Sequence, residues 1–540
     1  MRKYLYASMA LVLAVVITGC GGGSGRAGSS ASHEGAGSSK QYPEFHLGEL
    51  VFGVANGSLN FKGDGWTQQG QIESLVVQRL VDIGPEGQPQ LELASSVEHP
   101  NPTTYVYGVR KGIRFSDGKP LTVADVVYSL DLNKGKFSSV AKEPWEVVAS
   151  VSARGDSTVV IKLKHPSPDW MAIMAGFSQV FEKAAAEKVS EEALGTPRGL
   201  MIGTGPWKFD SYTPESSIQL SSNPYWSGPP QPATKITITI FKSEATMALA
   251  LRSGAIDAAA TYESQKLFAN IPGTHQLDGA QNQTTWVSMN TSAPPFNDVH
   301  VRRAIAYATD VNGIIQALYP SGGASKEPSI IPTPLLDGLG STSEVSSMIG
   351  TLTKYEYNLA KAKEELAKSA YPHGFTTTAA ACVAEPILLN VAQILAADLG
   401  KLGITVHVKG LQNDQCILED EQKAMFVNEY PSFVPNEPDL MMETLLSPTD
   451  IYPAGTGTDW PKYRNAELGR LLPEVVNTPE AARRVQLAGK ALGIAAAEEP
   501  YVPLFMHSTF MAVSNKFVSP ALSFYTTTDA PWMLNMKLAN

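Results

Sequence analysis

The sequence predicts a mixed α/β protein, and the clearest supporting pattern runs from residue 375 to residue 410. There the strand-like TTTAAACV is followed by an apolar helical pattern that begins at Pro386, and ITVHVK then alternates apolar with polar residues. Gly403 is expected to end the helix. A strand, a helix and a second strand in this order predict a right-handed crossover between two parallel strands.

Two other stretches support the same fold class. KITITIF alternates as a half-buried strand does, and the helical pattern SEATMALALRSG follows it, with Ser243 as the expected N-cap and Gly254 as the expected end. In LTVADVVYSL, Thr122 and Asp125 have the spacing of a capping box. Because no repeat with a period of about 20 to 50 residues is present, we expect ordinary globular lobes, three or four of about 150 residues each.

The N-terminus has the layout of a cleaved secretory signal. Arg2 and Lys3 precede an apolar run that is shorter than the roughly 20 residues of a membrane span, and the run ends in small residues before Cys20. Residues 1–19 are therefore predicted to be a signal peptide. ITGC, which ends at Cys20, resembles the bacterial lipobox, so this cysteine is the predicted site of lipidation. An ordinary signal peptide with an incidental cysteine is the alternative.

A flexible tether is predicted after the signal peptide. Residues 21–41 contain small and polar residues but no large apolar residue, so they cannot bury enough surface to offset the entropy lost on ordering. The lipidated tether is assigned to residues 20–45, and the folded part is expected to start near Tyr42.

The net charge of the chain narrows the classes of partner. The formal net charge is −10 and no basic run follows the signal peptide, which argues against nucleic acid or an anionic lipid surface as a partner.

Apart from Cys20, the chain has only Cys382 and Cys416, which follow the two strands predicted between residues 375 and 410. Both are expected at one edge of the sheet, where a disulfide is possible outside the cytoplasm. Two unrelated buried cysteines are the other interpretation.

Motifs of catalysis and metal binding are incomplete or missing. Ser139 and Lys142 match the S-x-x-K of penicillin-recognising enzymes, but neither S-D-N nor K-T-G occurs. G-x-S-x-G, H-E-x-x-H and P-loop motifs do not occur either, and the nine histidines include no pair at i, i+4. We therefore expect no enzyme activity, no cofactor and no metal site.

Four stretches carry a resemblance to a known family. YVYGVRKGIRFSDGKPLTVADVVYSL, GTGPWKFDSYTPESSIQLSSNPYW, ALRSGAIDAA and FNDVHVRRAIAYATD, in this order, resemble family 5 of the extracellular solute-binding proteins of ABC importers, which includes dipeptide-, oligopeptide- and nickel-binding members. The resemblance covers nearly the whole chain after about residue 46. It implies a two-lobed periplasmic-binding-protein type II fold with an extra domain and a ligand cleft between the lobes.

The resemblance also implies a division of the chain. Lobe I is expected from residues 46–70, 195–283 and 505–540, the extra domain from 71–194, and lobe II from 284–504. The chain is then expected to cross between the lobes near TTWVSMN and PYVPLFMH.

In peptide-binding members, an aspartate a few residues before a DP or EP element meets the ammonium group of the ligand. No aspartate lies just ahead of Glu437-Pro438 here, so recognition of a free ammonium stays open and Glu429 is the candidate acid. The residues expected to face the ligand lie after the first strand, at the crossings or ahead of the EP element. They are Asn56, Gly57, Trp286, Asn290, Glu429, Tyr430, Phe433, Phe505 and His507. The alternatives are a solvated charge at a strand end for Glu429, a plain turn for Asn56 and a place in the core for the aromatic residues.

The function implied by the resemblance is capture of a peptide-like solute and its delivery to the permease subunits and ATPases of an ABC importer. The protein is expected to be a monomer outside the cytoplasm, to be held at the cell membrane only by its lipid, and to bind no nucleic acid. A nickel chelate, an oligosaccharide or another metabolite remain open as the solute. A signalling or adhesion lipoprotein of the same fold is the alternative function, whereas for an extracellular hydrolase the sequence nominates no catalytic residues.

Overall fold

The structure is a computed structural model of the chain. It describes residues 40–50, 58–60, 62, 67–84, 87–135, 138, 141–142, 144–167, 169–261, 265–280, 283–320, 322–383, 385–412, 415–416, 424–429, 437–448, 460–520, 522 and 532–540. Among these residues, we find no helix with the length and apolar character that crossing a membrane requires.

The described residues form a mixture of strands and helices. The strands are β1 Tyr42–Leu50, β2 Val81–Ile83, β3 Pro89–Leu91, β4 Ala94–Asn101, β5 Thr104–Val109, β6 Val148–Ala153, β7 Thr158–Leu163, β8 Trp207–Thr213, β9 Ser217–Ser222, β10 Ala233–Phe241, β11 Ala258–Thr261, β12 Thr274–Ala280, β13 Thr285–Met289, β14 Ala324–Lys326, β15 Thr376–Cys382, β16 Thr405–Leu411, β17 Met425–Glu429, β18 Tyr501–Ser514, β19 Phe517–Val518 and β20 Lys537–Leu538. The α-helices are Thr67–Glu73, Val123–Asp131, Trp170–Phe177, Lys183–Ala186, Glu244–Ser253, Gln265–Phe268, Val299–Ala308, Val311–Leu318, Thr333–Leu336, Thr342–Thr351, Leu359–Lys368, Pro386–Gly400, Pro438–Leu446, Ala466–Val476 and Ala481–Glu498.

One large sheet organises most of these elements. Its strand order is β16-β15-β17-β13-β18-β11-β1-β10-β9-β8, and β12 and β14 also pair with β18. The long strand β18 joins two halves of this sheet, because its first residues pair with β13 and its last residues pair with β11 and β12. Strands β12 and β13 follow each other in the chain and pair with successive parts of β18, so the chain passes between the halves twice.

The first half of the sheet is built on β1 and β10, which pair in parallel. Alternate residues of both strands enter one hydrophobic cluster, the first core, whose members include Phe45, Leu47, Trp207, Ile236, Ile238 and Met511. On the opposite face, a Cβ atom at Gly48 would lie 2.5 Å from Cδ1 of Ile256, so helix Glu244–Ser253 and its C-terminal turn pack closely on β1 at this glycine. The predicted N-cap Ser243 and left-handed C-cap Gly254 of this helix are confirmed.

Two expected boundaries in this half are corrected by the structure. Strand β1 begins at Tyr42, which is buried and pairs with Ala233, so residues 42–45 belong to the sheet and not to the tether. The backbone carbonyls of Leu75 and Val76, in the stretch assigned to the extra domain, accept hydrogen bonds from Trp207 and Gly205 at 3.0 and 2.8 Å. Both side chains lie in the first core, so the stretch after residue 71 packs there.

The second half of the sheet contains the predicted β-α-β unit. Strands β15 and β16 pair in parallel, and helix Pro386–Gly400 connects them, as predicted. The helix ends at Gly400 and not at Gly403, which has φ of +81° in the turn before β16. Helix and sheet share the second core, whose members include Val287, Leu388, Val391, Val427 and Leu504. The structure joins Cys382, at the end of β15, to Cys416 in a disulfide.

A separate four-stranded sheet, with order β4-β5-β7-β6, forms with its helices the third core. The members of this core lie between Leu80 and Val180 and include Tyr107, Trp145, Ile161 and Trp170. Helix Val123–Asp131 covers this sheet and begins with the predicted capping box of Thr122 and Asp125.

A fourth core, whose members include Trp286, Met442, Leu472, Leu492 and Tyr501, packs beside the second half of the large sheet. Helix Pro438–Leu446 contacts two cores, since Leu440 packs against the third core while Met441 and Met442 belong to the fourth.

Candidate functional site

Three neighbouring strands bring polar side chains together where β18 passes between the halves of the sheet. Thr285, the first residue of β13, lies opposite Glu429 of β17 on one side and opposite Phe505 of β18 on the other. His507 follows Phe505 by two residues, and alternate residues of a strand share a face, so β18 turns His507 toward the same region. The group called the Glu429 cluster below consists of Gln283, Thr285, Glu385, Glu429 and His507.

The carboxylate of Glu429 is the centre of the cluster. Its Oε1 accepts a hydrogen bond from Nε2 of Gln283, and its Oε2 accepts one from Oγ1 of Thr285 at 3.1 Å. Oε2 also lies 3.2 Å from Nε2 of His507. Gln283, Thr285 and His507 are buried while Glu429 is half-buried, so the carboxylate is held in place and still reaches the surface.

One of the two ring nitrogens of His507 lacks a hydrogen-bond partner among the described residues. The ring is 2% exposed and lies nearly parallel to the ring of Tyr319, with 5.7 Å between the ring centres. Nε2 faces Glu429, whereas the buried Nδ1 has no hydrogen-bond partner among the described residues. Such an atom needs a hydrogen-bond partner from outside the described residues, which a water molecule or a group of the ligand can supply.

A second carboxyl group, that of Glu385, lies near Glu429. Burial of this carboxyl raises its pKa to about 8, and the negative charge of Glu429 adds to the shift. Its Oε2 is buried and has no hydrogen-bond partner within the described part of the chain. Two carboxyl groups at one place favour a ligand group that carries positive charge or donates hydrogen bonds.

Two predicted aromatic residues lie in the interior. Trp286 is 0% exposed in the fourth core, with its ring centre 5.0 Å from that of Trp460 and 4.9 Å from that of Tyr501. Phe505 is equally buried in the second core, against Tyr319. Both side chains are occupied by packing, and their contact with a ligand stays a prediction.

Asn290 lies just after β13, where its Oδ1 accepts hydrogen bonds from the backbone N–H and the hydroxyl of Ser292. That amide holds a turn, and its contact with a ligand also stays a prediction. The predicted residues Asn56, Gly57, Tyr430 and Phe433, and the predicted lipidation site Cys20, fall outside the described residues.

Sequence reasoning nominated Glu429 and His507 but missed three members of the cluster. A signal for Thr285 and Gln283 was present, because they alternate with Trp286 and so face the side of the strand opposite to that indole. No local pattern could have found Glu385, because its place beside Glu429 depends on how β15 and β17 pair.

The chain is similar to known proteins over most of its length. The family model of the bacterial extracellular solute-binding proteins, family 5, matches residues 88–453. Heme-binding protein A of Haemophilus influenzae is 24% identical over 74% of this chain and 76% of its own length. A putative ABC transporter peptide-binding protein of Brucella ovis is 29% identical over 58% of this chain, and the match spans 59% of that relative.

Solved structures match over a larger share of the chain. The periplasmic binding protein DppA from Helicobacter pylori, in complex with the peptide STSA, has a TM-score of 0.76 at 23% identity and covers 93% of this chain and 99% of its own. The oligopeptide-binding protein AppA from Bacillus subtilis, in complex with a nonapeptide, has a TM-score of 0.75 at 19% identity, over 93% and 100% of the two chains. These likenesses confirm the predicted fold class, the two-lobed periplasmic-binding-protein type II fold.

Proposed function

The chain belongs to the bacterial extracellular solute-binding proteins, family 5, and from this premise we propose that it binds a peptide-like solute at the Glu429 cluster and delivers it to the permease of an ABC importer. Proteins of this family are the solute-binding components of ABC importers and not enzymes, and they work outside the cytoplasm. The single observation that carries the choice of site is the hydrogen-bonded carboxylate of Glu429 at the place where β18 passes between the halves of the large sheet.

An amino group of the solute is the group that the cluster suits best. Burying an ammonium without a counter-charge is costly, and loss of one partner from a buried hydrogen-bonded charge pair costs about 2 to 5 kcal/mol. The position ahead of Glu437-Pro438 offers no aspartate for this role. Glu429 supplies a carboxylate instead, Glu385 beside it adds a carboxyl group whose raised pKa of about 8 keeps it largely protonated at neutral pH, and the buried Nδ1 of His507 adds a polar contact.

Closure around the solute uses the two places where the chain passes between the halves of the sheet. Rotation of one half against the other changes the backbone just before β13 and near the middle of β18. A solute drives closure only by binding the closed form better than the open one, and a shift from 1:99 to 99:1 needs about 5.5 kcal/mol of differential affinity. Polar contacts that form only when both halves close on the solute supply this difference.

We further propose that the protein is a monomer, that it is held at the cell membrane by acyl chains on Cys20, and that the permease and its ATPases are its partners. The support is the ITGC sequence after an apolar run, and the membership of the family.

Native mass spectrometry of protein purified without refolding tests the class of solute. A retained mass that fragments as a peptide supports the proposal, whereas a retained nickel chelate, heme or oligosaccharide contradicts the peptide part of it.

Solution scattering with and without that solute tests closure, because an unchanged radius contradicts it. Deletion of the gene is expected to abolish uptake of the solute, and normal uptake would favour signalling or adhesion.

A further inference from the structure

A second group of acidic residues lies apart from the Glu429 cluster, at the contact between the third and fourth cores. Asp169 precedes helix Trp170–Phe177 of the third core, and Glu437 and Asp439 begin helix Pro438–Leu446. Leu440 of the latter helix packs against the third core, while the opposite face of that helix lies in the fourth core. These three carboxylates, called the acidic triad below, therefore come from both sides of the contact.

The three carboxylate groups lie close to one another. One carboxylate oxygen from each residue lies within 4.8 Å of those of the other two. Asp439 is 1% exposed, and neither of its carboxylate oxygens has a hydrogen-bond donor among the described residues outside the triad, while the Glu437 carboxyl lies within hydrogen-bonding reach of it. Oε2 of Glu437 is also buried without a donor from outside the triad. A buried carboxylate that has no such donor and is aimed at two others is the arrangement expected around a missing cation.

One positive charge lies nearby and does not balance the triad. Nη1 of Arg484 is 3.9 Å from Oδ1 of Asp169 and from Oδ2 of Asp439, which is beyond hydrogen-bond distance. The guanidinium donates instead to backbone carbonyls, from Nη2 to Gly338 at 2.7 Å. Glu443, one turn further along the same helix, adds a fourth carboxyl group, whose pKa is raised by burial and by the charge of Asp169.

We propose that the acidic triad binds one divalent cation, and that its chemistry fits Ca²⁺. All the ligands are oxygens, which hard cations prefer, and no nitrogen or sulfur ligand completes a zinc site among the described residues. Ca²⁺ accepts several carboxylates in a flexible geometry, whereas Mg²⁺ demands a near-ideal octahedron and usually keeps several waters beside one or two carboxylates. Water completes the coordination.

A bound cation would link the third core to the fourth core at this contact. Asp169 is reached only when the third core lies against helix Pro438–Leu446, so a bound cation stabilises that packing by adding bonds to both sides. This inference does not rest on the identity of the solute or on transport.

Shared protons are the rival explanation for the same geometry. Burial raises the pKa of Glu437 well above its usual range, and the charges of Asp169 and Asp439 raise it further. A protonated Glu437 between two carboxylates would remove part of the charge without a cation. Protons and cations compete for the same oxygens, so the two explanations differ in their response to Ca²⁺ at constant pH.

Calorimetric titration of the chelator-treated full-length protein with Ca²⁺ decides between them. We expect one saturable site with a dissociation constant of about 1 mM or below, the range of extracellular calcium sites, and a matching rise in the thermal unfolding temperature. Mg²⁺ should bind at least about tenfold more weakly. No saturable Ca²⁺ binding in the wild-type protein overturns the proposal and leaves shared protons as the explanation.

Two variants locate the site. Asp439→Asn and Glu437→Gln should each weaken Ca²⁺ binding by about tenfold or more, because each removes a negative ligand. Glu327→Gln is the matched control, since Glu327 is a carboxyl 4% exposed that is bound to Thr333 away from the triad. Ca²⁺ binding that survives both triad variants places the cation elsewhere and overturns the assignment. If either variant fails to fold, sensitised Tb³⁺ luminescence of the wild-type protein, displaced by Ca²⁺, gives the same decision.

Discussion

The Nε2 atom of His507 lies 3.2 Å from the Oε2 atom of Glu429, although their strands are not neighbours in the sheet. Strand β13 separates β17 from β18, and the two side chains meet across Thr285, the first residue of β13. The contact therefore links the strand that joins the two halves of the sheet to the carboxylate proposed to bind the solute. We expect changes at either residue to affect solute binding more than folding.

Replacing Glu429 by glutamine should weaken solute binding. The change keeps the shape of the side chain but removes its charge, and loss of a buried charge partner costs about 2 kcal/mol or more, which is more than tenfold in affinity. Calorimetry with the solute identified by mass spectrometry measures the effect. Glu356→Gln is the control, because Glu356 is an exposed carboxylate paired with Lys326. Equal affinities for the two variants would remove Glu429 from the binding site.

Glu385 should make the protein less stable as the pH rises. Its pKa is about 8 in the folded state against an ordinary value of 4.5, so between these values the folded state binds more protons than the unfolded state. This contribution to the free energy of unfolding is complete below pH 4.5 and is lost as the pH approaches 8. Glu385→Gln should remove this one contribution, so that stability falls less steeply with pH than in the wild type, and urea unfolding at several pH values measures the difference.

The exposed carboxyl of Glu364 provides the comparison for this test. We expect Glu364→Gln to leave the dependence of stability on pH between 4.5 and 8 as it is in the wild-type protein. If Glu385→Gln and Glu364→Gln give the same curve, the carboxyl of Glu385 does not titrate with a raised pKa.

Gly203 is expected to tolerate no side chain. A Cβ atom at this position would lie 2.1 Å from the backbone oxygen of Val76, so Gly203→Ala must displace backbone and should cost about 1 to 3 kcal/mol of stability. Gly350 lies exposed in helix Thr342–Thr351, where a Cβ atom would have no other atom within 4 Å, and Gly350→Ala should stabilise by up to about 1 kcal/mol. Denaturant unfolding of the two variants measures opposite signs, and a stable Gly203→Ala protein would contradict the close approach.

The disulfide between Cys382 and Cys416 should contribute measurably to stability. It closes a loop with a sequence separation of 34 residues, for which chain entropy gives about 3 to 4 kcal/mol. A protein with both Cys382→Ser and Cys416→Ser should unfold at lower denaturant concentration than the oxidised wild type. Addition of a reductant should lower the stability of the wild type and leave that variant unchanged, and equal responses would show that the bond does not form in solution.

Cys20→Ser should release the protein from the membrane. The proposed anchor is a set of acyl chains on this cysteine, and each buried methylene contributes about 0.8 kcal/mol to binding. Labelling with radioactive palmitate followed by separation of membranes measures both acylation and location. A labelled, membrane-bound Cys20→Ser protein would contradict lipidation at this position.

Local sequence patterns predicted much of the fold. The capping box of Thr122 and Asp125, and the caps Ser243 and Gly254, were predicted correctly because capping involves backbone groups within about four residues of the side chain. The parallel pairing of β15 with β16 followed from a strand, a helix and a strand in succession.

The candidate site was predicted only in part, and the failures have one cause. Alternation along β13 shows that Trp286 and Thr285 face opposite sides, but it does not show which side meets the core. Gly203 is needed because Val76, far away in the sequence, approaches it, and the sequence around Gly203 does not show this. Contacts of this kind depend on residues that no local window includes.

The sequence by itself determined the class of fold and the family, and it nominated the acid and the histidine of the candidate site, because periodicity, caps and four stretches in a fixed order can all be read along one chain. Only the tertiary structure decided that Glu385 lies beside Glu429 and that Asp169 meets Glu437 and Asp439. Electrostatic interactions act through space, and in the folded protein such distances are set by strand pairing and core packing between residues that are distant in the chain.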